Sequence, residues 1–385
     1  MERIHHLIQR FFPPAQQLPA GIYQYRSPTE AVVPLRLHLR IDANGEGVLI
    51  INASTVLHLN QTAAELAYYF IHQAGDAEVG QKMEARYHIK SEIAAQDYRE
   101  FKQRLETLIK TPDLDPIGFL GFIRTDMYSS VTTAPYRLDC ALTYQLTDGE
   151  EPRSAPLERV KRELNTAEWR SIMEKAWKAG IPHAVFTGGE PTLRPDLVEL
   201  IAYTESLGMV SGLLTDGYRL VEPHFLREVL LSGLDYIMLL LNPDEELSWE
   251  ALRRILVEDI SVTVHLTVTD QNAQSIPGLL DQMSLMGVKL LSLSAADPEL
   301  RETMTALRHL VAEKGLSLVW DLPVPYSHFH PVALEAVEGE QVQGAGKAWL
   351  YVEPDGDVLP AQGINRRMGN FLNDGWDAIW AKRPQ

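Results

Sequence analysis

Apolar and polar positions alternate strictly through Leu35-Arg36-Leu37-His38-Leu39-Arg40-Ile41, the period of a half-buried strand. Asp42-Ala43-Asn44-Gly45-Glu46-Gly47 is a turn cluster, and 48–51 reads as the returning strand. Asn60 stands where an N-cap belongs, ahead of an apolar helical run at 62–72. A second helix is predicted over 97–109, with Tyr98, Phe101, Leu105, Leu108 and Ile109 on one face. Pro112 stops it, and 113–135 carries Pro, Gly, Thr and Ser with weak periodicity, as a linker does.

From 137 onward the period switches back and forth between strand and helix. Strands are predicted at 137–144, 184–186, 209–214, 236–241, 261–268 and 288–293. A helix follows each: one opened by Asn165 and Glu168 as a capping box, then runs near 196–207, 222–232, 247–257, 274–286 and 298–313. Strict alternation implies a parallel sheet with helical crossovers, and six units are too few for the usual closed eight-stranded barrel. The expected fold class is therefore α/β, a partial (β/α)6 barrel. Past 316–320 the tail changes character: Trp349-Leu350-Tyr351-Val352 and Asp357-Val358-Leu359 flank Glu353-Pro354-Asp355-Gly356 as a hairpin, and 376–380 forms a short closing helix. The organisation read from these patterns is an α+β domain at 1–112, a linker at 113–135, the partial barrel at 136–325 and an extension at 326–385.

Composition narrows the function classes. A chain of 385 residues with 45% hydrophobic and 23% charged positions can bury a sizeable core. A formal net charge of -17 repels phosphate backbones and anionic lipid, so neither nucleic acid nor membrane is expected as a partner. No apolar run reaches a membrane span, and Met1-Glu2-Arg3-Ile4-His5-His6 has no apolar segment of a signal peptide, so a cytoplasmic location is expected. Cys140 is the one cysteine, which excludes a disulfide framework and a CxxC zinc site within the chain. His5-His6 reads as an exposed terminus and His328-Phe329-His330 as a loop feature, since no third ligand is spaced near them.

Ligands of parallel α/β sheets bind beyond the C-terminal ends of the strands. The second barrel strand ends in Phe186-Thr187-Gly188-Gly189-Glu190-Pro191-Thr192. Two glycines allow close approach to the backbone, and a carboxylate beside them suits an ammonium group. The same residues also suit a tight turn in which Glu190 only caps the next helix; the tetrapeptide alone leaves both open.

Gly188-Gly189-Glu190-Pro191, continuing Thr192-Leu193-Arg194-Pro195-Asp196-Leu197, resembles the radical S-adenosylmethionine (radical SAM) superfamily, as does Leu214-Thr215-Asp216-Gly217 after the third strand. The stretch from Tyr351 to Pro360, with Gly369-Asn370 and Asp377-Ala378-Ile379-Trp380, is similar to the SPASM/Twitch extension of that family. The first domain is similar to winged-helix-like PqqD peptide-recognition elements, through Leu57-His58-Leu59-Asn60 and the helices after it, although a plain α+β appendage fits as well. The resemblance implies that Gly188, Gly189, Glu190 and Pro191 hold S-adenosylmethionine, and that a CxxxCxxC loop follows the first strand. Laid against that strand, the cysteine positions fall on Leu146, Glu150 and Arg153, and the tail's on Ala361. None supplies a thiolate, and Arg153 is a permanent cation. Cys140, inside the strand, reads as a small buried hydrophobe.

These positions lead to the expectation of a pseudoenzyme: a peptide- or partner-binding scaffold with no cofactor and no 4Fe–4S cluster, related to peptide-maturation systems. A cluster-free enzyme or sensor that binds S-adenosylmethionine, and a cysteine-depleted engineered maturase, are the alternatives.

Overall fold

The computed structural model describes residues 18–28, 35–52, 55–111, 133–147, 156–320, 322–327 and 343–384. The chain divides into two compact units, 1–129 and 130–385.

The first unit is an antiparallel meander of β1 (Gly21–Arg26), β2 (Arg36–Ile41), β3 (Gly47–Ile51) and β4 (Thr55–Leu59), in that order across the sheet. The alternation seen in β2 places Leu37, Leu39 and Ile41 on one face, beside Leu49, Ile51, Leu57 and Leu59 of the neighbouring strands. That face packs on α1 (Gln61–Ile71) and α3 (Ser91–Lys110) through Ala64, Ala67, Ile71, Leu105 and Leu108. Asn60 caps α1 as expected, its Oδ1 accepting from the Ala63 amide at 2.9 Å. Between these helices lies α2 (Asp76–Tyr87), which buries Val79 and Met83 against Ala94 and Tyr98 of α3. The strands β1 and β4 and the helix α2 add to the sequence-based expectation. So few residues of α2 are buried that its apolar stripe is too thin to register in the sequence.

Among the described residues, the second unit holds one sheet of ten strands. β5 (Arg137–Thr143), β6 (His183–Gly188), β7 (Val210–Thr215), β8 (Tyr236–Leu240), β9 (Ser261–Val268), β10 (Leu290–Ala295) and β11 (Ser317–Leu318) lie side by side in chain order, all parallel. The connecting helices are α4 (Thr166–Ala179), α5 (Leu197–Ser206), α6 (Pro223–Leu231), α7 (Glu246–Ile255), α8 (Ile276–Leu285) and α9 (Arg301–Glu313). The six βα units of the sequence pattern are therefore present, within an α/β fold whose sheet is mostly parallel. One face of the strands carries Leu138, Cys140, Leu142, Ala184, Phe186, Leu213, Ile237 and Leu239, buried against the helices. The opposite face carries Val185, Leu214, Met238 and Leu240, on which Leu322 and Val324 pack.

On the far side of β5 the sheet continues into the tail. β12 (Trp349–Val352) pairs parallel with β5; β13 (Asp357–Leu359) and β14 (Gly369–Asn370) follow antiparallel, and α10 (Trp376–Trp380) closes the chain. Leu350, Val352, Val358, Met368, Phe371 and Ile379 share the helix-side core with the barrel strands. No helix among the described residues is long and apolar enough to cross a membrane.

Candidate active site

The C-terminal ends of β5 to β8 converge on a cavity of about 440 Å³. It lies within the range of roughly 300–1,000 Å³ usual for small-molecule sites. Leu146 and Thr147 after β5, Gly189 and Glu190 after β6, and Asp216 and Tyr218 after β7 line it. Leu240 at the end of β8, Asn242 and Glu245 in the loop after it, and Leu247 in the first turn of α7 line it too, with Pro325, Tyr326 and Ser327 completing the wall.

The two glycines are required by close backbone approach. Gly188 has φ 124°, and a Cβ there would lie 2.2 Å from the Thr143 carbonyl oxygen. A Cβ on Gly189 would lie 2.3 Å from the Gln145 carbonyl oxygen and 3.0 Å from Leu146 Cδ2. The amides of Gly189 and Glu190 donate to the carbonyls of Thr143 and Gln145, each at 2.8 Å, which extends the β5–β6 pairing past the strand ends. The motif thus binds the segment after β5 as tightly as it faces the cavity.

Glu190 is almost fully buried. Its Oε1 accepts from the Thr192 amide at 2.9 Å and the Thr215 hydroxyl at 2.8 Å, and its Oε2 from the Asp216 amide at 2.8 Å. Its side chain therefore ties the loop after β6 to the loop after β7 and caps the 3₁₀ turn Pro191–Leu193. Burial, then the neighbouring Asp216 carboxylate, pushes the Glu190 carboxyl well above its usual range. Asp216 in turn accepts from the Thr147 hydroxyl and, at 3.0 Å, from the Tyr218 amide. Arg194 of the same motif grips Asp196 through two bonds of 2.9 and 2.7 Å and donates to the carbonyls of Leu142 and Leu164.

Beside the cavity sits an aromatic cluster that the sequence pattern did not reveal. Tyr144, Tyr326 and Tyr351 are all buried, with the Tyr144 and Tyr326 rings edge-to-face at 5.5 Å. The Tyr144 hydroxyl donates to Glu353 at 3.0 Å, and Arg159 pairs with the same carboxylate at 2.9 Å. Burial and then the Glu353 charge raise the Tyr144 phenol, so it remains protonated. Glu353 and Tyr351 come from the tail, which brings the extension to the edge of the site.

Of the positions read as cluster positions, Leu146 is buried against Gly189 and lines the cavity. Ala361 is buried just past β13. Glu150, Arg153, His5, His6, His328 and His330 lie outside the described residues. Pro191 opens the 3₁₀ turn beside Glu190. The sequence reading missed Asn242, Glu245, Leu247 and Pro325–Ser327; the first two were findable from the rule that ligands sit beyond strand ends, here β8.

The radical SAM superfamily profile matches residues 140–259, the stretch from β5 to just past α7. The chain carries a radical SAM superfamily domain. It is 29% identical over 234 residues to the PqqA peptide cyclase of Gluconobacter oxydans (strain 621H), covering 53% of this chain and 63% of that protein. It is 27% identical over 270 residues to the PqqA peptide cyclase of Methylobacterium sp. (strain 4-46), covering 60% of this chain and 69% of that one. The match thus spans less than two thirds of the first relative's length. Among solved structures, Streptococcus suis SuiB bound to S-adenosylmethionine has the same fold, with TM-score 0.58 at 14% identity over 94% of this chain and 88% of that one. SuiB bound to its precursor peptide SuiA gives TM-score 0.57 at 15% identity, over 90% and 87%.

These findings overturn two expectations. Relatives named as peptide cyclases point to an enzyme, so the pseudoenzyme scaffold is set aside. The expectation of no cofactor and no cluster fails likewise, because the superfamily is one of cofactor-dependent enzymes. Lost cysteines had been read as lost function, but a missing ligand in one chain does not establish what the protein does. The donor set itself is a separate question. Cys140 is wholly buried in β5, and burial followed by the Asp139 charge raises its thiol well above the usual value. Among the described residues no group of three or more His, Cys, Asp or Glu could hold a metal ion. The described residues therefore do not fit a thiolate-held cluster, and no chemical step is routed through one.

Proposed function

We propose that this chain is an enzyme of peptide modification that takes S-adenosylmethionine into the cavity at the ends of β5 to β8. The carrying observation is the cavity itself, walled by the glycine motif, Asp216 and the polar end of β8. Leu146, Leu240, Leu247 and Pro325 with the rings of Tyr218 and Tyr326 offer apolar and aromatic surface for a nucleoside. Asn242, Asp216, Glu245 and Ser327 offer hydrogen-bonding groups for its polar and cationic parts. The backbone carbonyls of Gly189 and Glu190 are the motif's contribution to the ligand, since the Glu190 carboxylate and the two amides are already engaged by the protein's own loops. The tail is read as a SPASM/Twitch-like extension, and the first unit as a PqqD-like element that adds a peptide strand to an outer strand of its meander.

Calorimetric titration with S-adenosylmethionine tests the cavity. Binding is expected, and Leu247→Trp, at a part-exposed position in the wall, should weaken it by about tenfold or more while leaving thermal unfolding unchanged. Absence of heat at millimolar ligand overturns the reading.

A further inference from the structure

Residues 322–327 run over the inner face of the barrel and end as the cavity wall. Leu322 and Val324 point down into the apolar patch of Val185, Leu214, Met238 and Leu240. The Tyr326 amide donates to the Gly188 carbonyl at 2.8 Å, which ties the wall to the glycine motif. A further hold comes from the tail. Gln362, next to Ala361, accepts from the Val324 amide through Oε1 at 3.1 Å and donates from Nε2 to the Val324 carbonyl at 2.7 Å.

We infer that Gln362 is a positioning residue: it clamps Val324 and thereby sets Pro325, Tyr326 and Ser327 against the ligand. A primary amide suits the task because it offers a donor and an acceptor side by side, matching both polar groups of one residue. Among the described residues no strand pairs with Val324 in the sheet, so the backbone groups of this irregular segment depend on such partners. Tyr326 transmits the hold in two directions, to Gly188 through its amide and to Tyr144 through its ring. The tail thus shapes the cavity from a distance, through a segment it does not share a strand with.

The consequence for ligand affinity rests on the S-adenosylmethionine reading above; the consequence for the wall does not. Gln362→Met keeps the length and apolar stem of the side chain and removes both bonds. Amide hydrogen exchange of Val324 and Tyr326 should then accelerate by about tenfold or more, while amides of β9 and β10 keep their rates. S-adenosylmethionine affinity should fall by a similar factor. Unchanged exchange at Val324 and Tyr326, or acceleration spread equally over β9 and β10, overturns the inference. In the unaltered protein, bound S-adenosylmethionine should slow exchange at Tyr326 and Ser327; measurable binding without that slowing overturns it as well. If the unaltered protein shows no heat of binding, the cavity reading fails while the exchange of Gln362→Met still decides the clamp.

Discussion

Glu190 shows how much a single buried carboxylate can be asked to do. Its oxygens receive the Thr192 amide, the Thr215 hydroxyl and the Asp216 amide, so removing the side chain strands donors in a water-poor place. An unsatisfied buried donor costs about 1–3 kcal/mol. Burial and Asp216 raise its pKa in the folded protein above the value of 4.5 it has when free. The folded state therefore keeps a proton that the unfolded chain gives up. The group's contribution to stability is complete below about pH 4.5 and is lost as pH rises through the folded pKa. Glu190→Gln cannot ionise, so its unfolding free energy should decline less steeply than wild type as pH rises above the free value of 4.5, measured by urea titration. Parallel curves would show that Glu190 is ionised in both states. In the sequence, an ammonium partner and a cap were both open for this residue. In the structure the carboxylate caps the 3₁₀ turn Pro191–Leu193 rather than the helix after it, and it is also bonded to Thr215 and Asp216, some 25 positions downstream, which no local pattern could announce.

Elements were more legible than sites, for a physical reason. Each barrel helix buries one stripe on the sheet, and each strand carries a short apolar run, so the period itself announces the alternation. The helix α4 is the clearest case. Asn165 Oδ1 accepts from the Glu168 amide at 3.0 Å, and the Glu168 carboxylate accepts from the Asn165 amide at 2.9 Å. Arg162 adds two bonds to that carboxylate, of 2.7 and 3.0 Å, and draws its pKa down. Asn165→Ala should destabilise the protein by about 1 kcal/mol, the usual worth of such a cap, read as a lower urea midpoint at unchanged slope. An unaltered midpoint would mean that packing of Trp169, Ile172 and Met173 alone fixes this helix start. The wall segment 322–327 shows the opposite limit. It has neither helical nor strand period, and its conformation is set by Gly188 and Gln362, partners remote in sequence.

At the scale of the second unit, the tail decides whether the barrel sheet has an open edge beside its first strand. β12 pairs with β5 along Trp349 to Val352, so the strand that precedes the cavity is paired on both sides. Leu350 and Val352 are fully buried in the same core as Leu138 and Cys140. Lys175 of α4 reaches the tail's backbone as well, donating to the carbonyls of Phe371 and, at 2.8 Å, Asp374. A detachable appendage would leave the barrel intact when removed. This tail would leave β5 as an apolar, unpaired edge and uncover the core around it, the arrangement that templates aggregation. A chain ending at residue 342 should therefore be recovered mainly as aggregate, judged by size-exclusion chromatography with light scattering. Any soluble fraction should lack a cooperative thermal transition. A soluble, cooperatively unfolding product would show instead that the parallel strands from β5 to β11 hold their own core, and that the tail serves the cavity alone.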